Sequence, residues 1–302
     1  MDLRQLAALT AIADQGSFSG AAAALHTVQS NVSGHIKRLE RELGYALVDR
    51  QSGELTEEGR VVEARARAIE ADLEAIAADL AALHHRVVGN ARLGVISTTA
   101  RWLVPLLLDR LAGEHPGLRL VTTEASSSAL GALLLSGGLD GALVNLPLNN
   151  PDLRVRPLFD EDIVLLLPAG HPLAAKELHV SHLEGLELLL PAPHTGFREA
   201  LDDAAAAAGV SLRSRADIDG LRLLSYLALR GYGPALLPAT TVTDLPDSYK
   251  IVLISGVPRR HVGIAIRKSG RPSAPTRALI DVLESVIEGY VATHPHLYPA
   301  PD

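Results

Sequence analysis

Cysteine is absent from the chain. That one absence removes structural disulfides, thiolate zinc sites and thiol redox sensing together. Aromatic residues supply only 3% of the sequence, with one Trp and three Phe, so aliphatic side chains must fill whatever cores form. No apolar run approaches the roughly 18 residues that a membrane-spanning helix needs. The opening MDLRQLAAL has no charged segment followed by a long apolar stretch and a small-residue cleavage site, and the expected compartment is the cytoplasm. The twelve histidines, among them His84, His85, His294 and His296, show no HExxH spacing, so no metal site is expected. There is no Gly-x-Ser-x-Gly elbow, phosphate-binding loop or nucleophile with its base, and Gly231, Tyr232 and Gly233 lack the third glycine of a dinucleotide fingerprint. Neither catalysis nor a bound cofactor is expected. Basic charge is also short. The net charge is -7, and within residues 1–60 six basic residues (Arg4, Lys37, Arg38, Arg41, Arg50, Arg60) face eight acids. Any nucleic-acid binding has to rest on local placement of charge.

What is present is a chain of 302 residues, 47% of them apolar, enough for one large or two to three small domains with buried cores. Leu3, Leu6, Leu9 and Ile12 recur about once per turn and predict an opening helix within residues 1–16. Residues 17–50 then read as a short helix, a tight turn and a longer helix. Ser17 and Ser19 can each cap the first of these, and four alanines at 21–24 favour helix and allow close approach. Thr27 is the next natural cap. Val28, Val32, Ile36, Leu39 and Leu43 follow at steps of four, four, three and four, an apolar stripe on about four turns of helix. Gln29, Ser30, Ser33, Gly34, Lys37 and Arg41 fall on the other side. Gln and Ser can read base edges, while Lys37, Arg38 and Arg41 can neutralise phosphates. Taken alone, the same pattern also describes an ordinary amphipathic helix with a solvated face.

Gly16, Ser17, Phe18, Ala21, Ala22, Leu25, Gln29, Ser30, Val32, Ser33, Ile36, Leu39, Glu40, Leu43, Gly44, Leu47, Arg50, Leu55, Thr56 and Gly59, in this order, resemble the winged helix-turn-helix of the LysR-type transcriptional regulators, a bacterial family. The resemblance implies that the second helix docks in the major groove of double-stranded DNA, with Gln29, Ser30 and Ser33 as its best base contacts and Arg50 on a phosphate. Two positions depart from the family pattern. Gly34 stands where a large polar residue is usual, and the short wing of Gln51, Ser52, Gly53 and Glu54 carries an acid. The missing cysteine excludes a peroxide-sensing member of the family.

Between residues 57 and 88, Val62, Ala66, Ile69, Leu73, Ile76, Leu80, Leu83 and Val87 alternate steps of four and three, the pattern of a coiled-coil seam. A helix of that length, roughly 40 Å at 1.5 Å per residue, is too long to hide its seam against a small N-terminal domain. Gly89 and Asn90 are expected to end it. In the resembled family this linker forms the dimer, and dimers often pair into tetramers. Two-fold symmetry then calls for a pseudo-palindromic site.

Beyond residue 90, strands expected at 91–96, 118–124, 141–145, 163–168, 234–238 and 262–267 alternate with helices expected at 102–114, 128–136, 197–208, 218–230 and 275–292, an α/β arrangement. Residues 295–301 read as a loose Pro-rich tail. The stretch is similar to the family's effector domain, a periplasmic-binding-protein-like fold of two subdomains. The expected organisation is α+β overall: a winged helix-turn-helix at 1–58, a linker helix at 59–89, and an effector domain at 90–302, with subdomain I at about 90–161 and 265–302 and subdomain II at about 162–264. Ligands in such folds bind where strands run into helix N-termini. Ser97, Thr98 and Thr99, then Ser126, Ser127 and Ser128, then Asn145 and Thr195 occupy such places, although each hydroxyl is also an ordinary helix cap. The resemblance implies a small, often carboxylated effector contacted by Ser97, Thr98 and Thr99; Arg101 and Arg198 are either partners for a carboxylate or ordinary solvated surface charges. The rival reading is a small-molecule-binding protein or enzyme whose helical N-terminus only mediates assembly.

Overall fold

The computed structural model describes residues 1–174, 177–242 and 245–301. The N-terminal unit contains α1 (Leu3–Gln15), α2 (Phe18–Ala24) and α3 (Gln29–Leu43). Asp2 caps α1 in a capping box with Gln5, and Ser17 caps α2 through the Gly20 N–H. Thr27 does not cap α3. The N-cap is Val28, which has no side-chain bond to give and is exposed, so the stripe on α3 begins at Val32. Val32, Ile36 and Leu39 are fully buried and meet Leu6, Leu9 and Ile12 of α1 in one core. A single bridge between Val48 and Leu55 forms the wing, a turn through Asp49 to Glu54.

The linker helix α4 (Glu57–Ala82) starts at a Thr56 cap and stops short of the expected end. Val87 lies outside the helix. Gly89 and Asn90 sit inside strand β1 (Val88–Val95) and terminate nothing. Gly89 has φ +114°, and a Cβ there would touch Pro275 and Ala78. Those are ordinary contacts, so it is the positive φ and not a lack of space that favours glycine there.

The remainder forms two six-stranded sheets. The first contains β1, β2 (Gly117–Glu124), β3 (Gly141–Asn145), β4 (Leu153–Glu161), β11 (Arg260–Arg267) and β12 (Leu297–Pro299), in the order β12-β4-β11-β3-β1-β2. The second contains β5 (Ile163–Pro168), β6 (Leu178–His179), β7 (Glu187–Pro191), β8 (Arg213–Ile218), β9 (Ala235–Pro238) and β10 (Tyr249–Ser255), in the order β6-β10-β5-β9-β7-β8. Helices α5 (Ser97–Glu114), α6 (Ser127–Leu135) and α9 (Ala274–Thr293) cover the first sheet, and α7 (Gly196–Ala207) and α8 (Leu221–Leu229) the second. Strands β1, β2 and β3, joined through α5 and α6, run parallel, as do β7, β8 and β9, joined through α7 and α8, as crossover connections require. The scarce aromatics concentrate at one place in the first core: Trp102 stacks on Tyr290 at 4.1 Å and meets Phe159 edge-on at 5.9 Å.

The chain leaves the first sheet at Asp162 and returns between Ser255 and Arg260, because β11 already belongs to the first sheet. A boundary at 264/265 would cut β11 in half. The expected loose tail is ordered. Residues 297–299 pair with β4, and the Asp162 N–H donates to the His296 carbonyl at 3.0 Å. Among the described residues no helix is long and apolar enough to cross a membrane.

Candidate DNA interface and effector cleft

On α3 the buried residues fix the orientation of the rest. With Val32, Ile36 and Leu39 turned inward, Ser30, Ser33, Lys37 and Arg41 line up on the opposite face at steps of three, four and four. Gln29, Ser30, Lys37, Arg38 and Arg41 are exposed, and Ser33 is half-buried. Arg38 reaches back to His35 Nδ1 at 3.0 Å. Asn31, which sequence reasoning passed over, is also exposed and is tied to Thr27 Oγ1 at 2.9 Å. Arg50 is held otherwise than expected: it pairs with Glu40 at 2.5 Å and lies over the Phe18 ring at 5.1 Å. Glu40 also accepts the Leu47 N–H. The pair therefore braces the end of α3 against the wing, and a phosphate would have to compete with Glu40 for Arg50. Gly34 faces open space: among the described residues a Cβ there would meet nothing beyond its own turn of helix.

Along α4, Val62 and Ala66 turn into the reader core and are not free to pair with another copy. Ile69, Leu73, Ile76, Leu80 and Leu83 are 37% to 75% exposed. The opposite side of the helix docks on the sensor: Asp79 accepts the Ala274 N–H at 2.7 Å, Glu74 pairs with Arg92 at 2.6 Å, and Gly137 lets the Ala68 backbone come close.

Apart from Thr195, the candidate effector residues gather where the parallel strands of the first sheet end. Thr98 and Thr99, in the first turn of α5, are buried, and that turn has Ile96 as an N-cap without a side-chain bond. Ser126 caps α6, Ser127 accepts the Asn145 N–H at 2.9 Å, and Ser128 bonds Ser126. Thr195 caps α7 in the second subdomain. Ser97 is half-buried at the start of α5.

The centre of this region is a network that sequence reasoning missed. Arg260 donates from both Nε and Nη2 to one carboxylate oxygen of Glu161, Oε2, in an ion pair whose side chains are 6% and 0% exposed. Arg260 Nη1 donates to Thr98 Oγ1 at 2.6 Å, and Glu161 Oε1 accepts the Thr240 N–H at 2.5 Å. One buried pair thus links α5 of the first subdomain to the turn at Ala239–Thr241 of the second, across both crossover segments. Removing one member of such a pair costs about 3–5 kcal/mol. The readable signal was the placement of Asp160, Glu161 and Asp162, and of Arg259, Arg260 and His261, directly before two otherwise apolar strands. Charges beside fully buried strands need partners.

Around the network four side-chain oxygens are buried without a hydrogen-bond partner among the described residues: Thr99 Oγ1, Asn145 Oδ1, Thr240 Oγ1 and Thr241 Oγ1. At the surface, Arg222 of α8 pairs with Glu124 of β2 at 2.9 Å, again from one subdomain to the other. Arg198, expected as a carboxylate partner, is taken by Asp202, Asp217 and the Pro191 carbonyl. Arg101 is exposed.

A helix-turn-helix with a polar outer face, carried by a long helix on a two-subdomain sensor, defines a ligand-responsive DNA-binding regulator. Comparison with known proteins agrees. Residues 3–60 match the family described as "Bacterial regulatory helix-turn-helix protein, lysR family", and residues 84–288 match the "LysR substrate binding domain". The chain belongs to the LysR family of DNA-binding transcriptional regulators. Among its relatives, a "Probable hydrogen peroxide-inducible genes activator" of Mycobacterium avium is 32% identical over 93% of each chain. A full-length OxyR variant from Pseudomonas aeruginosa is similar in structure, with a TM-score of 0.75, 26% identity and 95% of each chain covered. Full-length CbnR, solved in complex with its target DNA, shares the fold at a TM-score of 0.70 and 20% identity, covering 96% of this chain and 99% of that one.

Proposed function

We propose that this regulator works as a homodimer, joined through Ile69, Leu73, Ile76, Leu80 and Leu83, that presents two α3 helices to a pseudo-palindromic DNA site under the control of a small effector in the intersubdomain cleft. The exposed stripe on α4 carries this reading: one helix face keeps five large aliphatic side chains in water while its other face is docked on the sensor. A second copy of the same stripe covers it by two-fold symmetry. Gln29, Ser30 and Ser33 supply base contacts, and Lys37, Arg38 and Arg41 supply phosphate contacts. The effector contacts Ser97, Thr98 and Thr99 from the first subdomain, with Ser126, Ser127, Ser128 and Asn145 beside them, and Thr195 from the second. A ligand that favours one subdomain geometry shifts the pose of α4, which the sensor holds through Asp79 and Glu74, and with it the separation of the two readers. Pairing of dimers into tetramers is the family's further expectation.

Such a protein acts on the chromosome and therefore in the cytoplasm, as a regulator and not an enzyme. The peroxide-inducible activators among its relatives suggest one stimulus, but a thiol-based response is closed to a chain without cysteine. On the rival reading, an assembly module on a binding protein or enzyme, the polar face of α3 is an ordinary solvated surface. Mobility shifts with promoter fragments across a salt series test the reading. Specific complexes are expected, and Lys37→Ala or Arg41→Ala, each leaving one phosphate without its cation, should reduce the slope of log affinity against log salt by about one. Specific binding by neither the free nor the liganded protein would count for the rival.

A further inference from the structure

We infer that the cleft selects an uncharged, hydrogen-bonding effector over an anion, and that the buried Glu161–Arg260 pair sets this selection. The inference rests on the reading of the cleft as the effector site. The first observation is the set of unsatisfied atoms. Thr99, Thr240 and Thr241 are 0%, 1% and 3% exposed, and their hydroxyls, with the Asn145 amide oxygen, have no partner among the described residues. Buried polar atoms left in that state are costly, so they mark where a ligand would bring its own hydrogen bonds. Hydroxyls can donate or accept and the amide oxygen accepts; none carries a formal charge.

The second observation is that the cations at the site are matched. Arg260 is neutralised by Glu161 and spends a further N–H on Thr98. Arg222 is paired with Glu124, and Arg198 with Asp202 and Asp217. An anion entering the cleft would have to pull Arg260 from Glu161, stranding a carboxylate in the interior, or remain as an uncompensated buried charge. The uncapped first turn of α5 contributes only the partial charge of its free N–H groups, which suffices to orient a neutral ligand oxygen. The ligand class that fits is a small molecule with hydroxyl or amide groups, giving donors toward Asn145 Oδ1 and acceptors toward the threonines.

Acetamide and acetate, nearly equal in shape and different in charge, provide the test. Full-length isotope-labelled protein is titrated with each and followed by amide and threonine-methyl NMR. Acetamide is expected to shift Thr99, Thr240 and Thr241 saturably, with acetate at least tenfold weaker. In Glu161→Gln, which keeps an acceptor for the Thr240 N–H and frees the Arg260 charge, acetate affinity is expected to rise at least tenfold. The wild-type comparison stands alone if that variant does not fold. Acetate shifting the same cleft residues as tightly as acetamide overturns the charge selection and leaves the cleft as the effector site. Shifts confined to other surfaces, or no saturable shift from either probe, overturn the inference together with the reading it rests on.

Discussion

Two glycines of the reader domain should respond to the same substitution with opposite signs. Gly59, in the first turn of α4, packs so closely that a Cβ would lie 2.0 Å from the Leu47 carbonyl oxygen, 2.9 Å from its carbon and 3.2 Å from Thr56 Oγ1. Three hydrogen bonds converge there: Thr56 N–H to Leu47 O at 3.0 Å, Thr56 Oγ1 to Ala46 O at 2.8 Å, and Gly59 N–H to Thr56 Oγ1 at 2.9 Å. Gly59→Ala must push the start of α4 off the wing. Overpacking costs about 1–3 kcal/mol, the strained backbone bond about 1 and the weakened cap about 1, while alanine's better helix propensity returns under about 1. The net is a loss of about 2–4 kcal/mol, a large part of a domain's stability. Gly34 sits mid-helix in open space, so Gly34→Ala should gain up to about 1 kcal/mol. Urea unfolding can localise both effects, since the single Trp102 lies in the sensor core and reports on that core alone. Circular dichroism of the helices and loss of DNA binding should move to lower urea in Gly59→Ala and higher in Gly34→Ala, with the Trp102 fluorescence transition unchanged. A wild-type midpoint for Gly59→Ala would refute the packing argument.

Three further outcomes are expected. Leu73→Asp places a carboxylate in the centre of the exposed stripe and should halve the mass measured by light scattering; an unaltered mass refutes the seam. Thr99→Val removes a buried hydroxyl that has no protein partner among the described residues, so the unliganded protein should be as stable or slightly more so while effector affinity falls. Equal affinity would take Thr99 out of the site. Burial pushes the Asp140 carboxyl up, outweighing the lowering by the Arg92 N–H that it accepts. A raised value in the folded state means that stability from this group is full below its unfolded pKa and is lost as pH rises through the folded one. Asp140→Asn, which keeps an acceptor for Arg92, should therefore raise the melting temperature at neutral pH and flatten its rise toward acid; a lower melting temperature at neutral pH would contradict this.

The reader was legible because its determinants are local. Capping, an alanine run and a four-four-three-four stripe each act within one turn or two, and the departure falls at one junction, where Val28 in place of Thr27 became the cap and left the core. The linker was legible in character and wrong in extent. Its apolar repeat continues through Val87, but the chain turns at His85, in the left-handed region at φ +58°, and then enters β1. Strands that depend on neighbours were invisible. Residues Arg213–Ile218, with the sequence RSRADI, carry little strand preference of their own and become β8 by pairing with β7 along an edge. The cleft showed its hydroxyls but not its charges, since Glu161 and Arg260 meet only after the chain has passed through the entire second subdomain.

The strand β12 has a practical bearing on how this protein is handled. Tyr298 donates to Asp162 Oδ2 at 2.9 Å and carries the Arg259 guanidinium over its ring at 3.4 Å, while Arg259 also pairs with Asp162 at 2.9 Å. Asp162 lies on the outgoing crossover and Arg259 on the returning one, so the C-terminal segment sits on the joint between the subdomains. An affinity tag or fluorescent fusion placed a few residues past Pro299 would load that joint, and a deletion before Leu297 would strip the edge from β4.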